Sequence, residues 1–428
     1  MLTHSIPFSP DHPSDFFAQF AAAPAVFALR GVGQAAEPYV SKTANLRKRL
    51  QRLLAPPESQ SKRLNLRERT ATIEYSFTGS DFESVLLLYQ TLRQEFPDTY
   101  QKRLRLRPAP MVRLNLENEY PRAYVTTRIG KLGGRSLYYG PFRSRAVADK
   151  FLNDSLDLFK MRRCTFDLNP DPGFPGCVYS EMKMCLAPCF KGCTDEAYAA
   201  EVARVQEYFD SGGQSLLREL ESERERLSAE LDFEAAAAQH AKVAKIKGVL
   251  SACDDICGRL DRFEAVIIQP SAEAKSVALF RFHDGELVGP QPVAMESNTA
   301  GSEGIESENR ELENRESEQP TTTIQNPDQT QAAQPEPLSA AQALDSCIRA
   351  ALESLVTEGN SSAQRFSQEL AILKRWYYRT HKVGEIFFAN DRGELPLRRI
   401  ARGATRVYRG EKETPVLPTV KEQQPHET

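Results

Sequence analysis

The stretch Arg162–Cys193, RRCTFDLNPDPGFPGCVYSEMKMCLAPCFKGC, sets the tightest limit on what this chain can fold into. Five of the eight cysteines lie in it: Cys164, Cys177, Cys185, Cys189 and Cys193. Between them stand Pro170, Pro172, Gly173, Pro175, Gly176, Pro188 and Gly192, breakers that forbid a long helix or a central strand. Such a segment has little ladder bonding and little apolar surface of its own. Something else must hold it, and clustered thiolates around a metal centre meet that need. The intervals x12, x7, x3 and x3 suit zinc poorly, because structural zinc favours paired Cys-x2-Cys knuckles. Four thiolates at less regular spacing also hold iron–sulfur clusters, which puts iron–sulfur ahead of zinc. Disulfides or free thiols are the alternative. The N-terminus MLTHSIPFSPDHPSDFF has no basic start and no apolar core, so it does not read as a secretory signal and an oxidising compartment is not expected.

Charge is distributed unevenly. The net charge of −3 conceals a front half, Arg30 to Arg163, with 26 Lys and Arg against 13 Asp and Glu. A basic front on an acidic remainder is the footprint of a nucleic-acid-facing region, and its bias to arginine favours bidentate phosphate contact. No apolar run approaches the length of a membrane span, so a cytoplasmic protein without a membrane partner is expected.

Hydrophobic periodicity places the elements. Ala25–Arg30 and Glu37–Val40 read as strands, 43–54 as a helix with Leu46, Leu50, Leu53 and Leu54 on one face, and Thr70–Phe77 as a strand. Asp81 is the expected N-cap of a helix running to Glu95. Residues 1–15 are expected to be loose. Tyr124–Ile129 and Ser136–Tyr139 read as a hairpin, followed by a helix capped by Ser144 that delivers the chain to Cys164. Helices follow at 195–208, 214–230 and 233–250, then strands at 264–269, 276–282 and 286–294. Residues 296–338 lose apolar content almost entirely and are expected to be a disordered insert. Beyond them come helices at 339–356 and 362–378 and a strand pair at 385–389 and 395–400.

Several of these stretches resemble one family. Tyr138-Tyr-Gly-Pro-Phe142, Arg163-Cys164, Cys177 and Cys185-Leu-Ala-Pro-Cys189 resemble the middle of UvrC, the nuclease subunit of the bacterial excinuclease of nucleotide excision repair. The resemblance covers most of residues 20 to 290 and, more thinly, 340 to 395. It implies a [4Fe–4S] cluster on Cys164, Cys177, Cys185 and Cys189, with Cys193 left over and zinc as the alternative. It also implies a multidomain α/β protein. That protein has a GIY-YIG-like domain (16–105), a linker with the cysteine-rich region (106–195) and a helical region with a UVR motif (196–255). A partial RNase H-like region (256–295 and 339–409) is interrupted by the insert.

In the front domain, Pro24-Ala-Val-Phe27 stands where the family has Pro-Gly-Val-Tyr. Tyr39-Val-Ser-Lys-Thr-Ala-Asn-Leu-Arg-Lys-Arg-Leu50 resembles the second motif closely. The family's chemistry is metal-assisted phosphodiester hydrolysis, with a glutamate on the metal. Tyr39, Lys42 and Arg49 match its catalytic positions, whereas Phe27 and Leu53 replace tyrosines and Leu88 replaces the metal glutamate. Glu83, five residues earlier on the same helix, is a poor substitute. Mg²⁺ or Mn²⁺ is therefore expected only if the site is active. Arg47, Lys48 and Arg52 are the expected DNA contacts on the basic helix.

Leu231-Asp-Phe-Glu234-Ala-Ala-Ala237 resembles the UVR motif, which implies a UvrB-like partner bound through Leu231, Phe233, Glu234, Ala236 and Ala237. No helix–hairpin–helix signature is present, and a second nuclease site is not expected. Together these readings imply a UvrC-like protein that binds DNA and UvrB without cutting. The alternatives are an active GIY-YIG endonuclease making one incision and an iron–sulfur redox sensor.

Overall fold

The computed structural model describes residues 2–33, 36–56, 64–130, 134–251, 253–295, 340–357, 359, 362–390 and 392–411. The insert expected at 296–338 lies outside the described residues. Among those described are three four-stranded antiparallel sheets, each covered by helices.

The first sheet contains β1 (His4–Pro7), β2 (Ala25–Arg30), β3 (Tyr39–Thr43) and β4 (Thr72–Phe77) in the order β1-β4-β2-β3. The N-terminal residues are thus not loose throughout: β1 pairs with the open edge of β4, Ile6 opposite Ile73. Helix α1 (Leu46–Leu54) buries Leu46, Leu50, Leu53 and Leu54 against this sheet. It starts later than expected because Thr43 still belongs to β3, and Asn45 caps it by accepting the Lys48 N–H at 3.0 Å. Helix α2 (Asp81–Glu95) is capped by Ser80 rather than Asp81, the Ser80 Oγ accepting the Glu83 N–H at 3.1 Å. A short α3 (Tyr100–Leu104) follows.

The second sheet has the order β6-β5-β7-β8, from β5 (Met111–Asn115), β6 (Arg122–Thr126), β7 (Leu137–Gly140) and β8 (Gly258–Arg259). This corrects the expected hairpin. The strands at 122–126 and 137–140 do not pair with each other, because β5 lies between them and bonds to both. Met111, Val112 and Leu114 are completely buried, and filling the middle of the sheet is what draws this segment in. Helices α4 (Arg145–Leu156), α6 (Asp195–Asp210), α7 (Gln214–Ala229) and α8 (Phe233–Leu250) share the core of this sheet, with the four-residue α5 (Val178–Glu181) inside the cysteine segment.

The third sheet has the order β11-β10-β9-β12, from β9 (Ala265–Pro270), β10 (Ser276–His283), β11 (Glu286–Ala294) and β12 (Glu385–Phe388). Its central strands are buried on both faces, so their side chains alternate between two cores. Ala265 and Ile267 face one, Val266 and Ile268 the other. Asp284 and Gly285 both take positive φ at the β10–β11 turn, and a Cβ on Gly285 would fall 2.1 Å from the Phe366 ring. One face packs α9 (Ala340–Ser354) and α11 (Leu397–Arg409); the other packs α10 (Ala363–Tyr377) and α2. The strand expected at 395–400 is instead the start of α11. Ile400, Ala401, Ala404 and Val407 recur at helical spacing and are all buried.

Helix α2 therefore serves two cores. It lies against β2 and β3 on one side, while Phe82, Leu86 and Tyr89 join Phe280, Phe282, Phe366 and Trp376 on the other. Among the described residues no helix is long and apolar enough to cross a membrane.

Candidate functional site

The cysteine segment is held from outside. Arg162 is only 1% exposed; its guanidinium donates to the carbonyls of Tyr120 at 2.9 Å and Phe166 at 3.0 Å, and to the Cys164 Sγ at 3.4 Å. Tyr198 on α6 accepts the Arg162 N–H and donates to the Pro121 carbonyl, and Glu201 on the same helix accepts the Lys160 N–H. Lys183, Ala187 and Lys191 all take left-handed backbone, with φ of 56°, 58° and 55°. Each costs a non-glycine residue about 1–2 kcal/mol, so the bends persist only where the surroundings impose them.

In the same segment Cys164, Cys177 and Cys189 come within electrostatic reach of Cys185. Burial first, and then the nearby Cys164, Cys189 and Cys177, push the Cys185 thiol up to about 11. Cys189 is raised by burial first and then by Cys177 and Cys164. The Ala187 N–H donates to the Cys185 Sγ at 3.3 Å. Cys193 is also raised by burial, then by Asp195, but it packs against the core of the second sheet. All of these cysteines are free thiols, and no three His, Cys, Asp or Glu side chains among the described residues are grouped so as to hold a metal ion. The donor type fits a cluster: Cys164, Cys177 and Cys189 lie within electrostatic reach of Cys185, and Cys164 and Cys185 already receive N–H hydrogen bonds of the kind that stabilise thiolate ligands. Arg162 is the residue that sequence reasoning overlooked here; an arginine pair just ahead of the first cysteine was its only signal.

The front sheet carries a cleft of about 520 Å³ lined by Tyr39, Lys42, Leu88, Leu92 and Arg69. The Arg49 Nη2 donates to the Tyr39 Oη at 2.8 Å, while the Arg49 Nε is buried and has no partner among the described residues. Leu88 on α2 faces this cleft together with Tyr39 and Lys42. Glu83 does not line it: it is 6% exposed and accepts the Gly79 N–H at 2.9 Å. Burial raises its pKa above the ordinary carboxylate value, and that hydrogen bond opposes the rise only in part. The acid lining the cleft is Glu37, which is 74% exposed and paired with Arg103 at 2.9 Å. Phe27 and Leu53 are buried in the sheet core, with the Phe27 ring 6.1 Å from that of Tyr39. The arrangement can hold a phosphate, but it offers one peripheral carboxylate where a hard divalent ion needs several oxygens.

Lys42 is shared. Its Nζ pairs with Asp81 at the start of α2, and Asp81 also accepts from Arg379, just beyond α10, at 2.5 Å. Burial pushes Asp81 up, but Lys42 and Arg379 together hold it below the ordinary carboxylate value.

On α1, Lys48 and Arg52 are exposed. Arg47 is committed elsewhere, donating to the carbonyls of Phe20 at 2.6 Å and Ala18 at 3.2 Å. Helices α7 and α8 form an antiparallel hairpin whose tip presents Leu231, 72% exposed, and Phe233, 64% exposed. Asp232 between them caps α8 by accepting the Ala235 N–H. Glu234 and Ala237 are exposed and Ala236 is half-buried.

Residues 109–208, from the second sheet through the cysteine segment into α6, match the family model for the UvrC/Cho excinuclease middle domain. The class is thus that of chains carrying this excinuclease domain. Three relatives extend the match, each called UvrABC system protein C. That of Methanothermobacter thermautotrophicus is 26% identical over 63% of this chain and 45% of its own length. That of Rickettsia bellii is 30% identical over 46% and 31%, and that of Carboxydothermus hydrogenoformans 28% identical over 59% and 41%. The chain is therefore related to the UvrC family, and its matched part spans less than half the length of these relatives. No solved structure matches.

Proposed function

We propose that this chain acts in nucleotide excision repair as a UvrC-type DNA-binding protein that does not itself incise. The observation that carries the reading is that Leu88 lines the cleft of Tyr39 and Lys42; the resemblance puts the family's metal-binding glutamate at this position. The front sheet with α1 and α2 is then a GIY-YIG-like module that retains phosphate-holding groups: the Arg49–Tyr39 pair, with Arg49 Nε unspent, and Lys42. The third sheet is the counterpart of an RNase H-like region. Cys164, Cys177, Cys185 and Cys189 hold a [4Fe–4S] cluster that orders the breaker-rich segment, and the exposed tip of the α7–α8 hairpin docks a UvrB-like subunit in the cytoplasm.

In an active site of this kind the divalent ion supplies Lewis-acid polarisation and an activated water. Without a carboxylate at position 88, this chain's own residues bind and orient the phosphate and do no more. Losing that stabilisation costs several kcal/mol, roughly a thousandfold or more in rate. The test is a nicking assay on damaged duplex DNA with Mn²⁺, with and without UvrB. No nicking is expected. Metal-dependent nicking that Tyr39→Phe abolishes would replace this reading with that of a single-incision endonuclease.

A further inference from the structure

A second cleft, of about 500 Å³, opens where β3, the start of α2 and the segment after α10 meet. Its volume lies within the roughly 300–1,000 Å³ of clefts that take small organic groups. Lys42, Arg379 and Lys382 line it against one acid, Asp81, so it carries an excess of positive charge. Asp81 holds Lys42 and Arg379 in place while using only part of their donor capacity, since an ammonium has three N–H groups and a guanidinium five. The 15-residue α2 directs its positive N-terminal end to the same cleft through Gly79, Ser80 and Asp81.

A second observation is independent of these charges. Gln269, on β9, lines the cleft and is completely buried. Its Nε2 is spent on the Ile268 carbonyl at 3.1 Å, and its Oε1 has no partner among the described residues. A buried acceptor left unpaired is destabilising, and a ligand's N–H would satisfy it. Phe82 and Trp376 supply an apolar floor. Lys42 lines this cleft and the Tyr39 cleft alike, so a strand whose phosphate lies near Tyr39 meets this lysine on its way into it.

We infer that this cleft takes one nucleotide of a single DNA strand, its phosphate held by Lys42 and Arg379 and a donor on its base bonded to the Gln269 Oε1. The inference rests on the reading that the chain binds DNA, and the test separates the two. Trp376 is the sole tryptophan of the chain, so its fluorescence in the intact protein reports on this cleft. Titration with 5′-phosphorylated tetrathymidylate should change that fluorescence saturably. Arg379→Ala should weaken the response at least tenfold. Asp81→Asn, which removes the acid that shares the cations, should tighten it several-fold, an outcome that a merely structural role for Asp81 would not produce. Gln269→Leu should erase the preference for tetrathymidylate over an abasic tetranucleotide phosphate. Lys48→Ala with Arg52→Ala should weaken binding of a long duplex yet leave the Trp376 response intact. Duplex binding with a silent Trp376, or a response indifferent to both Arg379→Ala and Asp81→Asn, overturns the inference and leaves DNA binding standing. Thymidine monophosphate binding as tightly as the tetranucleotide overturns it in favour of a free-nucleotide site. Absence of both duplex binding and fluorescence change removes the two readings together.

Discussion

Cys185 and Cys193 sit eight positions apart on the same irregular segment, and their surroundings differ. Cys185 receives the Ala187 N–H and has Cys164, Cys177 and Cys189 around it, whereas Cys193 is turned toward the apolar core beneath α6. Metal binding takes thiols as thiolates and couples to the ordering of the segment that carries them, so removing one of four ligands should cost most of the affinity. Cys185→Ala is expected to lose its iron, falling from about four atoms per chain to near zero, if the centre is of the four-iron type. Cys193→Ala should keep it. Iron analysis of anaerobically purified protein checks both variants; one tightly held zinc in place of iron would keep the site and change the metal. The same contrast of neighbours explains Glu83. It is on the helix that faces the Tyr39 cleft, yet its carboxylate is buried and already holds the Gly79 N–H.

At the scale of elements, α1 separates two tasks that its sequence runs together. Its apolar face is spent on the sheet, and its basic residues divide by what they touch. Lys48 and Arg52 are free to meet phosphate, while Arg47 ties α1 to the carbonyls of Phe20 and Ala18. Lys48→Ala with Arg52→Ala should reduce the slope of log affinity against log salt by about two, since each phosphate contact contributes about one. Arg47→Ala should instead lower stability by about 1–3 kcal/mol, the cost of hydrogen bonds from a charged donor, with a smaller effect on that slope. Salt titrations of DNA binding and urea unfolding distinguish the two. The α7–α8 hairpin makes a parallel case. Phe233 is 64% exposed, so Phe233→Ala should leave the unfolding midpoint nearly unchanged. A large aromatic anchor at the centre of an interface is commonly worth 2 kcal/mol or more, so the same change should weaken capture by a UvrB-like subunit by about thirtyfold. Equal affinity of variant and parent in a pull-down or calorimetric titration would remove the hairpin tip as the docking site.

The whole molecule is tied together through α2. One side of this helix covers the front sheet and the other enters the core of the third sheet, with Phe82 edge-on to Phe280 at 5.1 Å. Tyr89 and Tyr100 both reach the Gln368 Oε1 on α10, at 3.1 and 3.0 Å. Asp81 adds an ionic link to Arg379, 298 positions away in the chain. Its pKa is held down in the fold by Lys42 and Arg379 against the opposing effect of burial. A carboxylate with a lowered folded value stabilises above its unfolded pKa and loses that contribution as pH falls through the folded one. Asp81→Asn should therefore destabilise by about 1 kcal/mol at neutral pH, the figure kept small because Asp81 is 44% exposed. The difference from the parent should close as pH falls below the ordinary value of 3.8. Urea unfolding at several pH values measures it, and a difference that grows toward acid would refute the assignment.

Local chemistry was legible in the chain by itself. Helical spacing marked α1, period-two alternation marked β4, and five thiols among breakers marked a segment that needs outside support. These signals depend on neighbours a few residues apart, which is the range over which backbone geometry repeats. What escaped was decided by partners distant in sequence. Met111–Asn115 became a strand by filling the gap between two others, and His4–Pro7 by meeting the free edge of β4. The segment expected as a strand at 395–400 became a helix because its apolar residues had a sheet face to cover. The motif named Tyr39, Lys42 and Leu88, but only the packing of α2 beside β3 put them on one cleft. The link among Lys42, Asp81 and Arg379, and the unpaired Gln269 beside it, have no motif at all. They arise because burial forces polar groups from separate parts of the chain to settle their hydrogen bonds with whatever the fold places next to them.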